Sequence, residues 1–165
     1  MRFLLLLIGI LFMSMANALD FEISSSAFKE NETIPTQYTC SGKDVSPPFS
    51  WTTASEKTQS FALICSDPDA PGGTWYHWVL YNIPATVKDM AENQLPIGSV
   101  VGKNSWGRAT YNGPCPPPGK PHHYIFTLYA LDTKLNLISA DAETLQKNMK
   151  GHVLQSAKIT GIFAR

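Results

Sequence analysis

C-S-D-P-D-A-P-G-G-T-W-Y-H-W-V-L-Y-N-I-P, residues 65–84, sets two carboxylates, a glycine turn and an aromatic strand in direct succession. Pro68 and Pro71 fix their own φ and disfavour helix at Asp67 and Ala70, so Asp67 and Asp69 are expected on a stiff, extended segment. Residues i and i+2 of such a segment point to the same side, which predicts that both acids face one space. Gly72 and Gly73 allow the chain to turn. Beyond them Trp75, His77, Val79 and Tyr81 alternate with Tyr76, Trp78, Leu80 and Asn82, the period of a β-strand. His77 falls near the start of that strand, close to the turn that carries the acids.

Working outward, Ser60 to Ser66 is nearly all apolar and reads as a strand lying centrally in a sheet, with Phe49–Trp51 a short strand before it. Phe21 to Phe28 alternates apolar and polar residues and reads as an opening strand. Ile34 to Tyr38 passes into a long irregular loop, T-C-S-G-K-D-V-S-P-P at 39–48, a composition that carries sites more often than cores. From Pro84 to Gly107 the chain is polar, turn-rich and weakly periodic, and no element is assigned there. Residues 111–119, Y-N-G-P-C-P-P-P-G, form a loop stiffened by proline, followed by an apolar strand from Tyr124 to Leu131. Asp141 to Lys150 reads as a helix, with Ala142, Leu145 and Met149 on one face, Asp141 and Glu143 at its start, Lys147 and Lys150 at its end and Gly151 after it. Val153 to Phe163 closes as a strand. The sum is a mostly β protein built on an antiparallel sheet, with a short C-terminal helix.

The N-terminus has the pattern of a secretory leader: Met1 and Arg2, an apolar run from Phe3 to Met15, and the small residues Ala16-Asn17-Ala18. The run is shorter than the roughly 18 to 20 apolar residues of a membrane span. Cleavage after Ala18 is expected, leaving one domain over residues 19–165, no integral membrane segment, and a periplasmic or secreted location. Loss of Arg2 leaves 12 basic residues against 13 acidic ones, a net charge near −1. That balance excludes the basic footprint of a nucleic-acid binder, and any anion must be gripped locally. Of the three cysteines, Cys65 lies in an apolar run and reads as a buried strand residue. Cys40 and Cys115 sit in loops and are expected to pair in an oxidising compartment; three free thiols is the alternative.

His77 follows the acids, and His122 and His123 follow the proline-rich loop. Two such loops, each feeding a strand through a histidine, suggest a single pocket at one end of the sheet holding Asp67, Asp69, His77 and His122. Histidines satisfied in the core or exposed at a rim are the plainer explanation of the same spacing. Two Asp and two His suit a divalent metal, but neither H-x-x-x-H nor H-E-x-x-H occurs, and no metal or cofactor is expected. Cys115 near His122 offers a thiol nucleophile, which pairing with Cys40 would silence. No G-x-S-x-G elbow marks a serine hydrolase.

D-P-D-A-P at 67–71 with W-x-H-W and N-I-P, then Y-N-G-P-C-P-P-P-G-x-x-H-H-Y at 111–124, resembles the phosphatidylethanolamine-binding protein family and its bacterial Raf-kinase-inhibitor-like branch. The resemblance extends to S-G-x-x-x-S-P-P at 41–48 and G-H-V-L-x-x-A at 151–157. It implies a large central sheet, a second smaller sheet, a C-terminal helix and a small pocket for phosphate-like anions. The lining it implies is Asp67, Asp69, His77, the Gly113-Pro114 region, His122 and Tyr124. His123 stands where the family has Arg, which removes a permanent charge from the rim.

Two carboxylates repel a phosphate, so they are expected to act as orienters. A carboxylate that accepts from one imidazole nitrogen leaves the other aimed at a ligand, and Asp67 and Asp69 are expected to make His77 and His122 donors in this way. Trp75, Trp78 or Tyr111 would wall the pocket. The leading expectation is therefore an exported binding protein for phosphate or a phosphorylated head group. The alternatives are an Asp/His, metal-assisted hydrolase of a small phospho-compound or ester, and a protease or kinase inhibitor acting through the loops at 40–48 and 113–119.

Overall fold

Strand β4 (Ser60–Asp67) is apolar on both faces because both faces are covered. Phe61, Leu63 and Cys65 point into one core and Ala62 and Ile64 into another. The computed structural model describes residues 20–165; the expected leader and its cleavage site lie outside them. Strand β4 is flanked by β5 (Trp75–Pro84) and β8 (His122–Leu131), both antiparallel to it. The six-stranded sheet runs β2-β9-β8-β4-β5-β7, with β2 at Glu32–Thr33, β7 at Val100–Val101 and β9 at Val153–Phe163. Its one parallel pair is β2 with β9.

A second sheet of three short strands, β1 (Ile23–Ser24), β3 (Phe49–Trp51) and β6 (Asp89–Met90), lies against one face. Its Ile23, Phe49, Trp51 and Met90 share a core with Leu63, Leu80, Phe126 and Leu128 of the large sheet. On the other face sits helix α1 (Ala142–Met149), which buries Ala142, Leu145 and Met149 against Ile64, Val79 and Tyr81. The Asp141 side chain caps the helix by accepting from the Thr144 N–H at 2.8 Å, and Gly151 follows it at φ 87°.

The mostly β class, the second sheet and the helix agree with the sequence reading. The opening strand is shorter than expected, two residues at Ile23–Ser24 in place of Phe21 to Phe28. Chain pairing with β3 lasts only two residue pairs before the Ser25 side chain turns to bond the Pro48 carbonyl. Two further short strands, β6 and β7, occupy the stretch left unassigned between Pro84 and Gly107.

Alternation along β5 breaks twice, and the breaks decide which side chains meet. The pairing with β4 slips between Cys65 and Ser66, where His77 is the extra residue, and again between Phe61 and Leu63, beside Asn82. Such bulges bend a strand and re-aim a side chain. Strict alternation would put His77 on the helix face with Val79 and Tyr81. The first bulge puts it beside Tyr124 on the opposite face, its ring centroid 5.1 Å from that phenol. At the second bulge Asn82 adopts φ 55° and exchanges two hydrogen bonds with the Leu135 backbone, both 2.9 Å.

Candidate functional site

The end of the inter-sheet core nearest the β4 to β5 turn collects the titratable side chains. Asp67 is the last residue of β4 and continues the face of Leu63 and Cys65, so it is buried, with 3% of its surface exposed. Strand β8 alternates cleanly, which turns His122 and Tyr124 inward and His123 outward. The His122 Nδ1–H donates to Asp67 Oδ2 at 2.7 Å. Asp67 Oδ1 accepts from the Asp69 backbone N–H at 2.9 Å, so both carboxylate oxygens are engaged.

That second bond overturns the expectation that Asp67 and Asp69 face one space. The chain folds into a turn at Pro68 and Asp69 and does not stay extended, with the Asp67 side chain bonding the backbone two residues on. Asp69 is swung outward and pairs with His123, accepting from its backbone N–H at 2.8 Å and its Nδ1–H at 2.7 Å. The pairing with His123 holds the Asp69 carboxyl below its usual range.

Nor does Asp69 orient His77. Its Nδ1–H donates instead to two backbone carbonyls, Asn112 at 2.8 Å and Gly113 at 3.0 Å. That geometry leaves Nε2 with its lone pair. Burial lowers the pKa of His77 below its ordinary value, partly offset by the Asn112 carbonyl and by the charge of Asp67. His77 is thus a neutral acceptor at neutral pH, where a donor was expected. Tyr124 packs edge to face on His77 and lies close to Asp67, and its hydroxyl is buried with no partner in full hydrogen-bonding geometry. Burial, then the Asp67 charge, pushes its pKa far up, so the phenol keeps its proton and can donate.

The walls are partly those expected. Trp75 belongs to the rim, whereas Trp78 and Tyr111 pack edge to face beneath it in the core. The aromatic that covers His77 is Trp106, with ring centroids 5.1 Å apart. Trp75 meets Trp106 edge to face at 5.3 Å, and both are more than one third exposed. Trp106 lies in the weakly periodic stretch; a tryptophan in a polar loop was the one signal available for it.

Gly113 and Pro114 act through their backbones. The Gly113 N–H donates to Asp44 Oδ1 at 2.7 Å, and the Pro114 carbonyl accepts from the Cys40 N–H at 3.1 Å. Cys40 and Cys115 form a disulfide with Cα atoms 5.4 Å apart, as expected from their loops, so Cys115 is no nucleophile. The remaining thiol, Cys65, is buried and its pKa is raised by that burial. Among the described residues no group of three or more His, Cys, Asp or Glu is placed to hold a metal, and no helix is long and apolar enough to cross a membrane.

The cluster is packed more tightly than a ready-made pocket. His122, at 9%, is the most exposed of Asp67, His77, His122 and Tyr124. Cavities of 140 to 410 Å3 lie elsewhere among the described residues, one of 320 Å3 between Tyr76, Lys103 and the start of α1 on the helix face.

Comparison with known proteins converges on one family. The family model described as phosphatidylethanolamine-binding protein matches residues 24–164. A UPF0098 protein of Methanothermobacter thermautotrophicus is 46% identical over 149 residues, covering 87% of this chain and 98% of its own length. Among solved structures, YbcL of Escherichia coli, described as a member of the mammalian PEBP family, superposes with a TM-score of 0.84 at 35% identity, covering 89% of this chain and 99% of its own. A phosphatidylethanolamine-binding protein homologue from Chlamydia trachomatis also gives 0.84, at 34% identity over 88% and 97%.

Proposed function

The chain belongs to the phosphatidylethanolamine-binding protein family, and from that premise we propose that it is an exported binding protein whose Asp67–His122–His77–Tyr124 cluster takes one protonated oxyanion, a phosphate or a phosphorylated head group. The observation that carries the reading is a buried set of polar groups with unused bonding capacity on one face. The Tyr124 hydroxyl sits near Asp67 without a partner in full hydrogen-bonding geometry, and Nε2 of His77 and of His122 is left over once their Nδ1 atoms are tied down. Buried polar groups are rarely left unpaired.

The chemistry also says which protonation state is bound. Asp67 on β4 and Asp44 on the facing loop put negative charge near His77, and Tyr124 adds a neutral hydroxyl. A fully ionised phosphate offers only acceptors and would meet the lone pair of His77. A monoprotonated phosphate can donate its P–OH to that lone pair and accept from Tyr124. The second pKa of a phosphomonoester is about 6, and His77, whose pKa burial lowers below its ordinary value, keeps its lone pair for the P–OH proton. Binding of a monoester is therefore favoured as pH falls toward about 6. The disulfide suits an oxidising compartment, which supports export.

Calorimetry with phosphoethanolamine, a monoester that gains its P–OH near about pH 6, tests this. Affinity should rise on going from pH 8 toward 6, by up to about tenfold per pH unit where one proton is taken up. Asp67→Asn, which removes the charge that orients His122, should weaken binding by about tenfold or more. Affinity that is flat with pH, or untouched by Asp67→Asn, overturns the reading.

A further inference from the structure

We infer that Asn104 is a positioning residue for His77, because it organises two of the groups that fix that imidazole, the Trp106 ring and the Asn112 carbonyl, the Gly113 carbonyl being held separately by Asp44. Asn104 is buried, at 4% exposure, in a loop that is otherwise largely solvent-facing. Its side chain spends all its bonding capacity locally. Oδ1 accepts from the backbone N–H groups of Trp106 at 3.0 Å and Arg108 at 3.1 Å. Nδ2 donates to the Thr110 carbonyl at 3.1 Å and to Asn112 Oδ1 at 2.8 Å. Its backbone N–H reaches the Arg108 carbonyl and its own carbonyl receives the Gly107 N–H.

The consequence runs in two directions from one amide. The oxygen side closes the turn that brings Trp106 over His77. The nitrogen side holds Asn112, whose backbone carbonyl accepts from His77 Nδ1–H while its backbone N–H donates to the His77 carbonyl at 3.2 Å. The loop is further zipped to β5 through Ser105, whose N–H donates to the Tyr76 carbonyl and whose hydroxyl accepts from the Tyr76 N–H. Which imidazole nitrogen carries the proton is set by the bond the ring makes. Asn104 therefore reinforces, at one remove and beside the Gly113 carbonyl, the tautomer in which Nε2 of His77 faces the site as a lone pair.

The test reads His77 directly, without ligand, from the two imidazole nitrogens in 15N NMR of uniformly labelled protein. The parent should show the Nδ1–H form. Asn104→Ala should move His77 toward a mixture of tautomers, and so should Asn112→Ala, which deletes only the side-chain acceptor and keeps the backbone carbonyl. Asn112→Asp, which keeps that acceptor, should restore the parent signal. If Asn104→Ala fails to fold, the Asn112 pair decides. An unchanged tautomer in folded variants, with only a lower melting temperature, reduces Asn104 to a loop staple and overturns the inference. The affinity arm rests on the anion reading: phosphoethanolamine should bind Asn104→Ala about tenfold more weakly. Failure of the parent to bind phosphoethanolamine sinks the anion reading, while the tautomer measurement still decides the role of Asn104.

Discussion

Replacing Gly113 by alanine probes how the two disulfide-linked loops hold the imidazole of His77. A β-carbon at 113 would collide with the Tyr38 carbonyl oxygen and come within 2.8 Å of Asp44 Oδ1 and 2.9 Å of Thr39 Cα, where ordinary contact starts at 3.4 Å. The backbone of Gly113 is not left-handed, so space and not φ is the constraint. The loops cannot simply part, because Cys40 and Cys115 join them two residues beyond. The strain must then be taken up at the Gly113 N–H bond to Asp44 and at the Gly113 carbonyl that His77 uses. Overpacking of this kind costs about 1–3 kcal/mol, and losing a hydrogen bond to a charged group about 1.5–3 kcal/mol. A total near 3 to 5 kcal/mol is expected, read as a lowered urea midpoint at unchanged slope. A loss under about 1 kcal/mol would show that the loops have room to spare, and the idea that they clamp His77 would fall with it.

Three further outcomes are expected. His77 binds a proton less readily folded than unfolded, so the unfolded state takes up more protons on acidification. Stability should be full above about pH 6.5 and decline below it, levelling off below the depressed folded pKa; a His77→Phe variant that still folds should lack this decline. Removing the disulfide with Cys40→Ser and Cys115→Ser frees a 75-residue loop, a loss of about 4.5 kcal/mol from chain entropy, measurable by chemical unfolding of oxidised parent against variant. Asn82→Ala should be less stable than Asn82→Gly by about 1 kcal/mol, because both lose the Leu135 bonds but only alanine resists φ 55°.

The strands that carry the core were legible because their side chains announce them. Ser60–Ser66 is apolar throughout and is covered on both faces, and β8 alternates without interruption. The helix was legible from Asp141, Leu145 and Gly151, each at a position where only its chemistry suits. The site was half legible. Asp67 and His122 were picked out by their proline-rich loops and Tyr124 by the family resemblance, and the three do meet. His77 meets them only because a bulge shifts β5 by one residue, and a bulge depends on the partner strand, which periodicity in one strand does not contain. Asp69 went astray for a local reason: its own N–H is captured by the Asp67 side chain, and that competes with the extended backbone its flanking prolines favour. Asn104 and Trp106 were out of reach because their contacts are with one another's loop and not with any repeating pattern.

The order of strands in the large sheet bears on how this chain is made. Strand β9, drawn from residues 153–163, occupies an interior slot between β8 and β2. Until a ribosome has released those residues, β8 presents an open edge and Glu32–Thr33 has nothing to pair with. Nascent chains fold as their segments emerge, but here the sheet cannot close until residues 153–163 are free. While that interior slot is unfilled, β8 shows a row of unpaired backbone groups to any other strand, so the unfinished sheet is open to pairing with a neighbouring chain.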